Sequence, residues 1–595
     1  MSTPFLNVSQ SLRGRIWRDR LDLDAQGRAE AMVQLYGMPD ILARVLAGRH
    51  VRPEAVELYL HPTLRDLMPD PNVMRDMDKA ATCLAQAIEA GKTIAIFGDY
   101  DVDGACASAC LAQFLAACGT PYVLHIPDRI FEGYGPNNEA ITSLYKRGAR
   151  VLVTVDCGTM SFEPLAHAKS LGMEVIVLDH HQAPEILPEV DALVNPNRQD
   201  DVSGLGYLCA AGVVFMTLVA LNRELREKGF WTNRLKMDLL ILLDLVALAT
   251  VADVVPLQGL NRAFVTRGLH IMHARERPGL RALFDVARAD GPPRPYHLGF
   301  LIGPRINAGG RIGDAALGAR LLLEQDEGEA QRIAAELDRL NSERQAIEVA
   351  TVEEAVAEAM ASLGQHDEGS VIVTASDHWH PGVMGLVAAR LKDRFQRPVF
   401  AIAFTGKNGS GSGRSLIGVD LGRAVRAAVD AGILIKGGGH AMAAGVTIER
   451  ERLGDFRAFM ESYLVQSVSA ARENDVLLID AALAPAAARA ELVRDIEQAG
   501  PFGAGNPEPV FAFSSVRLVD VAEVGTGHVR FRAKSGDGLM LQGIAFRAAQ
   551  DPLGQTLLRS RGENMHLAGT LSLDHWGGGE RVQLRLIDAA RVPPR

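Results

Sequence analysis

Apolar and polar positions change rhythm several times along the chain. Up to about residue 78, short helical patterns alternate with turns, and no chemistry-bearing motif stands out. Beyond that point the Val/Ile-rich runs TIAIFGDYD, TPYVLHIP, VLVTVDCG and EVIVLDHH are separated by helical stretches such as ATCLAQAIEAG and ACASACLAQFLAACG. Apolar runs of strand length spaced by helices predict an α/β domain with a doubly wound parallel sheet. The apolar stretch Leu239–Val255 is interrupted by Asp244 and Asp253, which predicts a buried helix and strand and no membrane span. Residues 324–361 are charged, with no Gly or Pro after Gly328, and predict a long connecting helix. A second α/β pattern opens at SVIVTAS. After PFGAGNPEPVF, short strands such as VRFRAK, MLQGIAF and VQLRLID alternate with Gly-rich turns, as in a small β-barrel. The expected organisation is an N-terminal segment 1–78, an α/β domain 79–323, a helix 324–361, a second α/β domain 362–466 and a β-domain 467–595.

Composition narrows the class. A chain of 595 residues exceeds what one core organises, and 48% hydrophobic with 23% charged residues argues against general disorder. Met1–Gln10 has neither a basic nor an apolar leader region, so a cytoplasmic protein without membrane attachment is expected. Cys83, Cys106, Cys110, Cys118, Cys157 and Cys209 form no CxxC pair and read as buried thiols in a reducing compartment. A net charge of −10 weighs against a uniformly basic phosphate-binding surface. The residues from Val510 onward reverse that sign, with 11 Lys/Arg against 8 Asp/Glu.

The sharpest local feature is FGDYDVDG, Phe97 to Gly104, directly after an apolar strand. Asp99, Asp101 and Asp103 share one face if the chain stays extended, and three such anions repel unless a cation joins them. The string also resembles a calcium loop, but the twelfth position from Asp99 is Cys110 where a bidentate Glu is needed. It resembles a haloacid-dehalogenase nucleophile motif too, although Ala105 stands where Thr normally follows the Gly. A solvated acidic turn is the plain alternative. Asp156 ends a second apolar strand, Asp179-His180-His181 end a third, and Asp253 lies in the apolar run ALATVADVVPL. A carboxylate in such surroundings needs a partner. Together these residues are expected at consecutive sheet ends, where open α/β sheets bind ligands. Carboxylates with two imidazoles suit two Mn²⁺ or Mg²⁺ ions better than a thiolate zinc site, and such pairs hydrolyse phosphoesters.

The order DYDVDG, VDCG, LDHH, ATVADVVPL resembles the DHH phosphoesterase superfamily, named for the string at Asp179 to His181. The accessory half of that superfamily is matched by HPGVMGLVAARL, GSGRS and GGGHAMAAG. GPRINAGGRIG, LNSERQ and PFGAGNPEPVF before the terminal β-domain make the chain similar to the RecJ-type exonucleases in particular, from about Lys79 to the C-terminus. The resemblance implies an accessory (DHHA1) substrate-binding domain and an OB-like nucleic-acid-binding domain. It also implies metal ligation by Asp101, Asp103, Asp156, His180 and Asp253, with Asp156 as the bridge and Asp99 as a further acidic member. His181 would face the scissile phosphate and Asp179 would orient a histidine. Many members carry His four residues before the Asp101 position; Phe97 stands there, so one ion is expected to have fewer protein ligands. Arg305, Asn307 and Arg311 in one Gly-rich segment, Ser412 and Arg414 in another, and the nest Gly438-Gly439-His440 are expected to hold the strand and its 5′ phosphate. His380 is a further candidate beside Trp379, which suits base stacking or core packing equally. In the terminal domain Arg530 and Arg532 flank a core-facing Phe531 and are candidates for tracking phosphates.

The expected activity is 5′-to-3′ exonucleolytic hydrolysis of single-stranded DNA to 5′-mononucleotides, in DNA repair and recombination, by a monomer working with a helicase and a single-strand-binding protein. Two rivals remain open at this stage. A DHH phosphatase of small or short-oligonucleotide substrates would generally lack the terminal β-domain, and a silent scaffold of a replication complex would tend to lose the acidic ligands.

Overall fold

A computed structural model describes residues 3–128, 132–133, 135–363, 369–574 and 580–592. The chain divides into two compact units, one running from Leu67 to Glu473, the other formed by the residues up to Asp66 together with those from Asn474 onward.

The first of these units opens on a five-stranded, wholly parallel sheet of β1 (Ile94–Gly98), β2 (Tyr122–His125), β3 (Val151–Val155), β4 (Glu174–Leu178) and β5 (Ala192–Val194), in the order β2-β1-β3-β4-β5. Every residue of β1 and β3 is buried, which is why these strands read as unbroken apolar runs. Helix α1 (Val102–Cys118) leaves the end of β1, and α2 (Ala210–Glu227) and α3 (Leu243–Ala252) pack behind the site. Leu239–Val255 contains no strand: a short 3₁₀ turn runs into α3, and Asp253 caps that helix. An apolar run without alternation does not distinguish a buried strand from a buried helix, and its length favours the helix.

Helix α4 (Gly303–Ile312) precedes α5 (Glu327–Leu363), a 37-residue helix of about 55 Å at 1.5 Å per residue. Spaced ion pairs such as Arg339 with Glu336 and Glu343 line its surface. A second sheet follows: β6 (Ile372–Ser376), β7 (Val399–Thr405), β8 (Asn408–Arg414), β9 (Lys436–Gly439) and β10 (Ala443–Glu449), ordered β9-β10-β8-β7-β6. Between β6 and β7 runs α6 (Met384–Phe395). The helix Leu453–Glu473 closes the unit past residue 466, with no Pro to stop it earlier.

In the other unit, β11 (Phe511–Val524), β12 (His528–Lys534), β13 (Met540–Ala545), β14 (Asn564–Asp574) and β15 (Arg581–Arg591) close into a five-stranded barrel through the β11–β14 pairing. The N-terminal residues, expected to form a segment of their own, are part of this unit. Strand Ile16–Asp19 pairs in parallel with Val476–Ile479, and the buried indole of Trp17 donates to Asp588 at 3.1 Å. Met32, Leu42 and Leu46 join Phe511, Phe531 and Leu567 in one core. A segment this short cannot bury a core alone, and a partner more than 400 positions away leaves no mark on the local pattern. All six cysteines are free thiols. Among the described residues no helix is long and apolar enough to cross a membrane.

Candidate metal centre

The chain turns sharply at the end of β1, and that turn builds the first part of the site. Asp101 is the N-cap of α1, its carboxylate accepting from Gly104 N–H at 3.1 Å. Gly104 is obligatory, because a Cβ there would lie 2.4 Å from the Asp99 carbonyl oxygen. The three aspartates therefore do not share an extended face. Asp99 and Asp101 group with Asp156, whereas Asp103, inside the first turn of α1, groups with His180 and Asp253. Asp103 also accepts from Ala210 N–H (2.6 Å) and Ala211 N–H (2.8 Å), which seats it on the positive end of α2.

Asp156 follows β3 directly and takes φ +62°, an uncommon conformation for a non-glycine residue and one that clusters at functional sites. His180 joins the two groups: its Nε2 lies 3.3 Å from Asp156 Oδ1, 3.6 Å from Asp103 Oδ2 and 3.7 Å from Asp253 Oδ2. Donors around one cation at about 2.1 Å stand about 3 Å or more apart, so this spacing fits a hard divalent ion. The donor set, carboxylate oxygens and imidazole nitrogen without thiolate, suits Mn²⁺ or Mg²⁺.

Electrostatics agree with that fit. Burial, then repulsion from Asp103 and its neighbours, pushes the Asp156 carboxyl well above the ordinary range. Burial also raises Asp103, with His180 opposing and Asp101 reinforcing. Asp253 is pushed up to about 9, by burial first and then by Asp103 and Asp101. A divalent cation among these carboxylates would offset the burial and the mutual repulsion that raise them.

The Asp179-His180-His181 turn is fixed by hydrogen bonds. Asp179 accepts from the backbone N–H of Thr159, His180 and His181 and from the His181 ring at Nδ1, 2.7 Å. Burial would raise Asp179, but these bonds hold it well below the carboxylate range. Burial lowers the His181 imidazolium, yet Asp179, backed by Asp99 and Asp253, outweighs it and leaves the group at about 9. The 2.7 Å contact with Asp179 fixes the orientation of the His181 ring through Nδ1. Asn195 donates to the His181 carbonyl (2.8 Å) and Asn197 to that of His180 (2.5 Å). These two asparagines escape sequence reasoning, since Asn-Pro-Asn after a strand reads as a turn. Phe97 is fully buried in β1 with its ring against His125, 5.0 Å between centroids.

The basic candidates part company. Arg305 is turned to Asp338 of α5 (2.9 Å) and the Leu301 carbonyl. The Asn307 side chain accepts from Val102 N–H at 3.1 Å, pinning the start of α1 from below. Both were expected among phosphate holders. Instead Arg305 is taken up by Asp338 and Asn307 by the start of α1, whereas the Arg311 guanidinium, one turn on from Asn307, donates to the Gly382 carbonyl (3.0 Å). His380 Nδ1 accepts from Gly382 N–H. A Cβ on Gly385 would lie 2.7 Å from Arg414 Nη2 and 3.7 Å from Ser412 Oγ. Arg311, His380, Ser412 and Arg414 thus gather at the first turn of α6, and a Cβ on Gly310 would lie 2.9 Å from the Tyr100 carbonyl oxygen, joining them to the acidic loop. Gly438 pairs with Gly445, which pairs with Ser412, so the same sheet carries Gly438, Gly439 and the exposed His440. Trp379 is buried in the core, donating to Glu354 at 2.8 Å. In the barrel, Arg530 and Arg532 are exposed on β12 and Phe531 is buried.

Comparison with known proteins places these features in a family. The DHH family, N-terminal domain, matches residues 93–250, the DHHA1 domain residues 368–466 and the RecJ OB domain residues 479–588. The single-stranded-DNA-specific exonuclease RecJ of Salmonella typhimurium is 35% identical over 563 residues, covering 93% of this chain and 96% of that protein. The crystal structure of RecJ with Mn²⁺ from Thermus thermophilus has a TM-score of 0.78 at 30% identity, covering 97% of this chain and 80% of that one. The same protein with Mg²⁺ gives 0.74 at 29% identity, covering 97% and 79%. The chain belongs to the RecJ family of single-stranded-DNA-specific exonucleases.

Proposed function

We propose that the protein hydrolyses single-stranded DNA from its 5′ end, one nucleotide at a time, at a centre holding two Mn²⁺ or Mg²⁺ ions. The observation that carries this reading is the convergence of Asp99, Asp101 and Asp156 with Asp103, His180 and Asp253, tied through the Asp156–His180 contact. Asp156 touches both groups and would be the carboxylate shared between the ions. Bound divalent ions there supply Lewis acidity, lowering the pKa of water and stabilising the leaving oxygen. His181, oriented by Asp179, would face the scissile phosphate and help stabilise its developing charge. Arg311, His380, Ser412 and Arg414 hold the 5′ phosphate and the following linkage against the first turn of α6, with Gly438, Gly439 and His440 beside them. Arg530 and Arg532 track phosphates on the barrel. The protein acts as a cytoplasmic monomer in repair and recombination, on strands that a helicase opens and a single-strand-binding protein covers.

Product analysis on 5′- and 3′-labelled strands tests the reading. With Mn²⁺, the 5′ label is expected in mononucleotide from the first turnover, and chelator stops its release. Early release of the 3′ label, or preference for a dinucleotide over a long strand, would refute it.

A further inference from the structure

The run GPPRPYHLGFLIG leads into α4. Within it His297–Ile302 winds as a π-helix, a widened turn that is rare and recurs at functional sites. Its inner side chains, Leu298 and Ile302, are fully buried. Its outer side presents Tyr296 and Phe300, 56% and 70% exposed, with rings stacked at 5.3 Å between centroids and 24° between planes. His297 meets the Tyr296 ring edge-on at 6.0 Å and Phe284 at 6.4 Å, which braces the pair.

The position of this pair ties it to the metal centre. A Cβ on Gly299 would touch Val251 at 3.5 Å, and one on Gly303 would meet Ala252 at 3.3 Å and Val102 at 3.8 Å. Val251 and Ala252 lead straight to Asp253, and Val102 sits between Asp101 and Asp103. The π-helix is therefore packed against both elements that deliver ligands, and the two rings stand on its solvent-facing side.

We infer that Tyr296 and Phe300 form a stacking platform for nucleobases of the strand entering the metal centre, an inference that rests on the single-strand exonuclease reading. A base has the flat apolar face that an aromatic pair extends into a longer stack, and stacking tolerates any sequence, as stepwise digestion requires. A partner helix would need an apolar stripe over several turns. The exposed apolar surface here is two rings wide and is preceded by the exposed, charged Arg294.

The test compares wild-type protein with the Tyr296→Ala/Phe300→Ala and Tyr296→Leu/Phe300→Leu double variants in chelator. Affinity for a single-stranded oligonucleotide is read by anisotropy, and stacking by the emission of 2-aminopurine placed at successive positions from the 5′ end. Wild-type protein is expected to change that emission at one or two positions near the 5′ end. Both variants are expected to lose the change and bind roughly tenfold or more weakly, with Mn²⁺ affinity intact. The leucine pair keeps apolar bulk, so it decides the matter if the alanine pair fails to fold. Leucine variants with wild-type affinity and emission overturn the inference alone. Wild-type protein that neither binds nor hydrolyses single strands overturns the exonuclease reading itself.

Discussion

Asp253 is an acid and His181 a base, yet their titration pulls the stability of the cation-free protein the same way. Asp253 is raised from 3.8 to about 9 and His181 from 6.5 to about 9. Over those intervals the folded chain binds more protons than the unfolded chain, so stability is complete at low pH and is lost as pH rises towards 9. Asp179, depressed instead, acts only below the ordinary carboxylate range. In chelator the Tm is expected to fall between about pH 5 and 9, more gently in Asp253→Asn, and saturating Mn²⁺ should remove most of the slope because cations replace the protons. A chelated protein with a flat profile would mean the carboxylates are already ionised. Asn307 gives a second prediction at this scale. Asn307→Ala frees Val102 N–H and should weaken Mn²⁺ binding about 10-fold or more with the circular dichroism unchanged, whereas Asn307→Asp, still an acceptor, should recover much of it. The acidic cluster was legible because a carboxylate in an apolar run demands a partner. Asn195, Asn197 and Asn307 were not, because an asparagine among Gly and Pro reads as turn chemistry.

Among the elements, α4 does what no single motif announces: it supports the acidic loop through Gly310 and reaches α6 through Arg311. A Cβ at Gly310 has backbone, the Tyr100 carbonyl, in its way. Gly310→Ala should therefore cost about 1–3 kcal/mol of stability and lower Mn²⁺ affinity, measurable by denaturant titration and calorimetry. Retention of both would show that the loop moves freely. The strands of the first sheet were legible from their length and apolar content, since both faces are covered. The helical placement of Asp253 was not, because unbroken hydrophobicity carries no period. The π-helix was equally hidden, since its extra residue per turn does not alter which residue types are apolar.

For the molecule as a whole, the pairing of the N-terminal residues with the barrel has the largest consequence. Trp17, Met32 and Leu46 are fully buried among barrel residues. A chain lacking the residues before Leu67 should lose the barrel's melting transition while Mn²⁺ affinity persists, as followed by calorimetry and limited proteolysis. Survival of that transition would show that the barrel folds without them. The barrel itself was readable from short strands and Gly-rich turns. Its N-terminal complement was not, because the pairing of Ile16–Asp19 with Val476–Ile479 joins residues far apart in the sequence.

Titrating Mn²⁺ into wild-type protein and Asp156→Asn, with bound metal counted by electron paramagnetic resonance, goes most directly to the shared centre. Two ions per chain are expected in the wild type, with binding of both severely weakened in the variant. A variant that still takes up two ions at wild-type affinity would contradict the placement of the centre at Asp156.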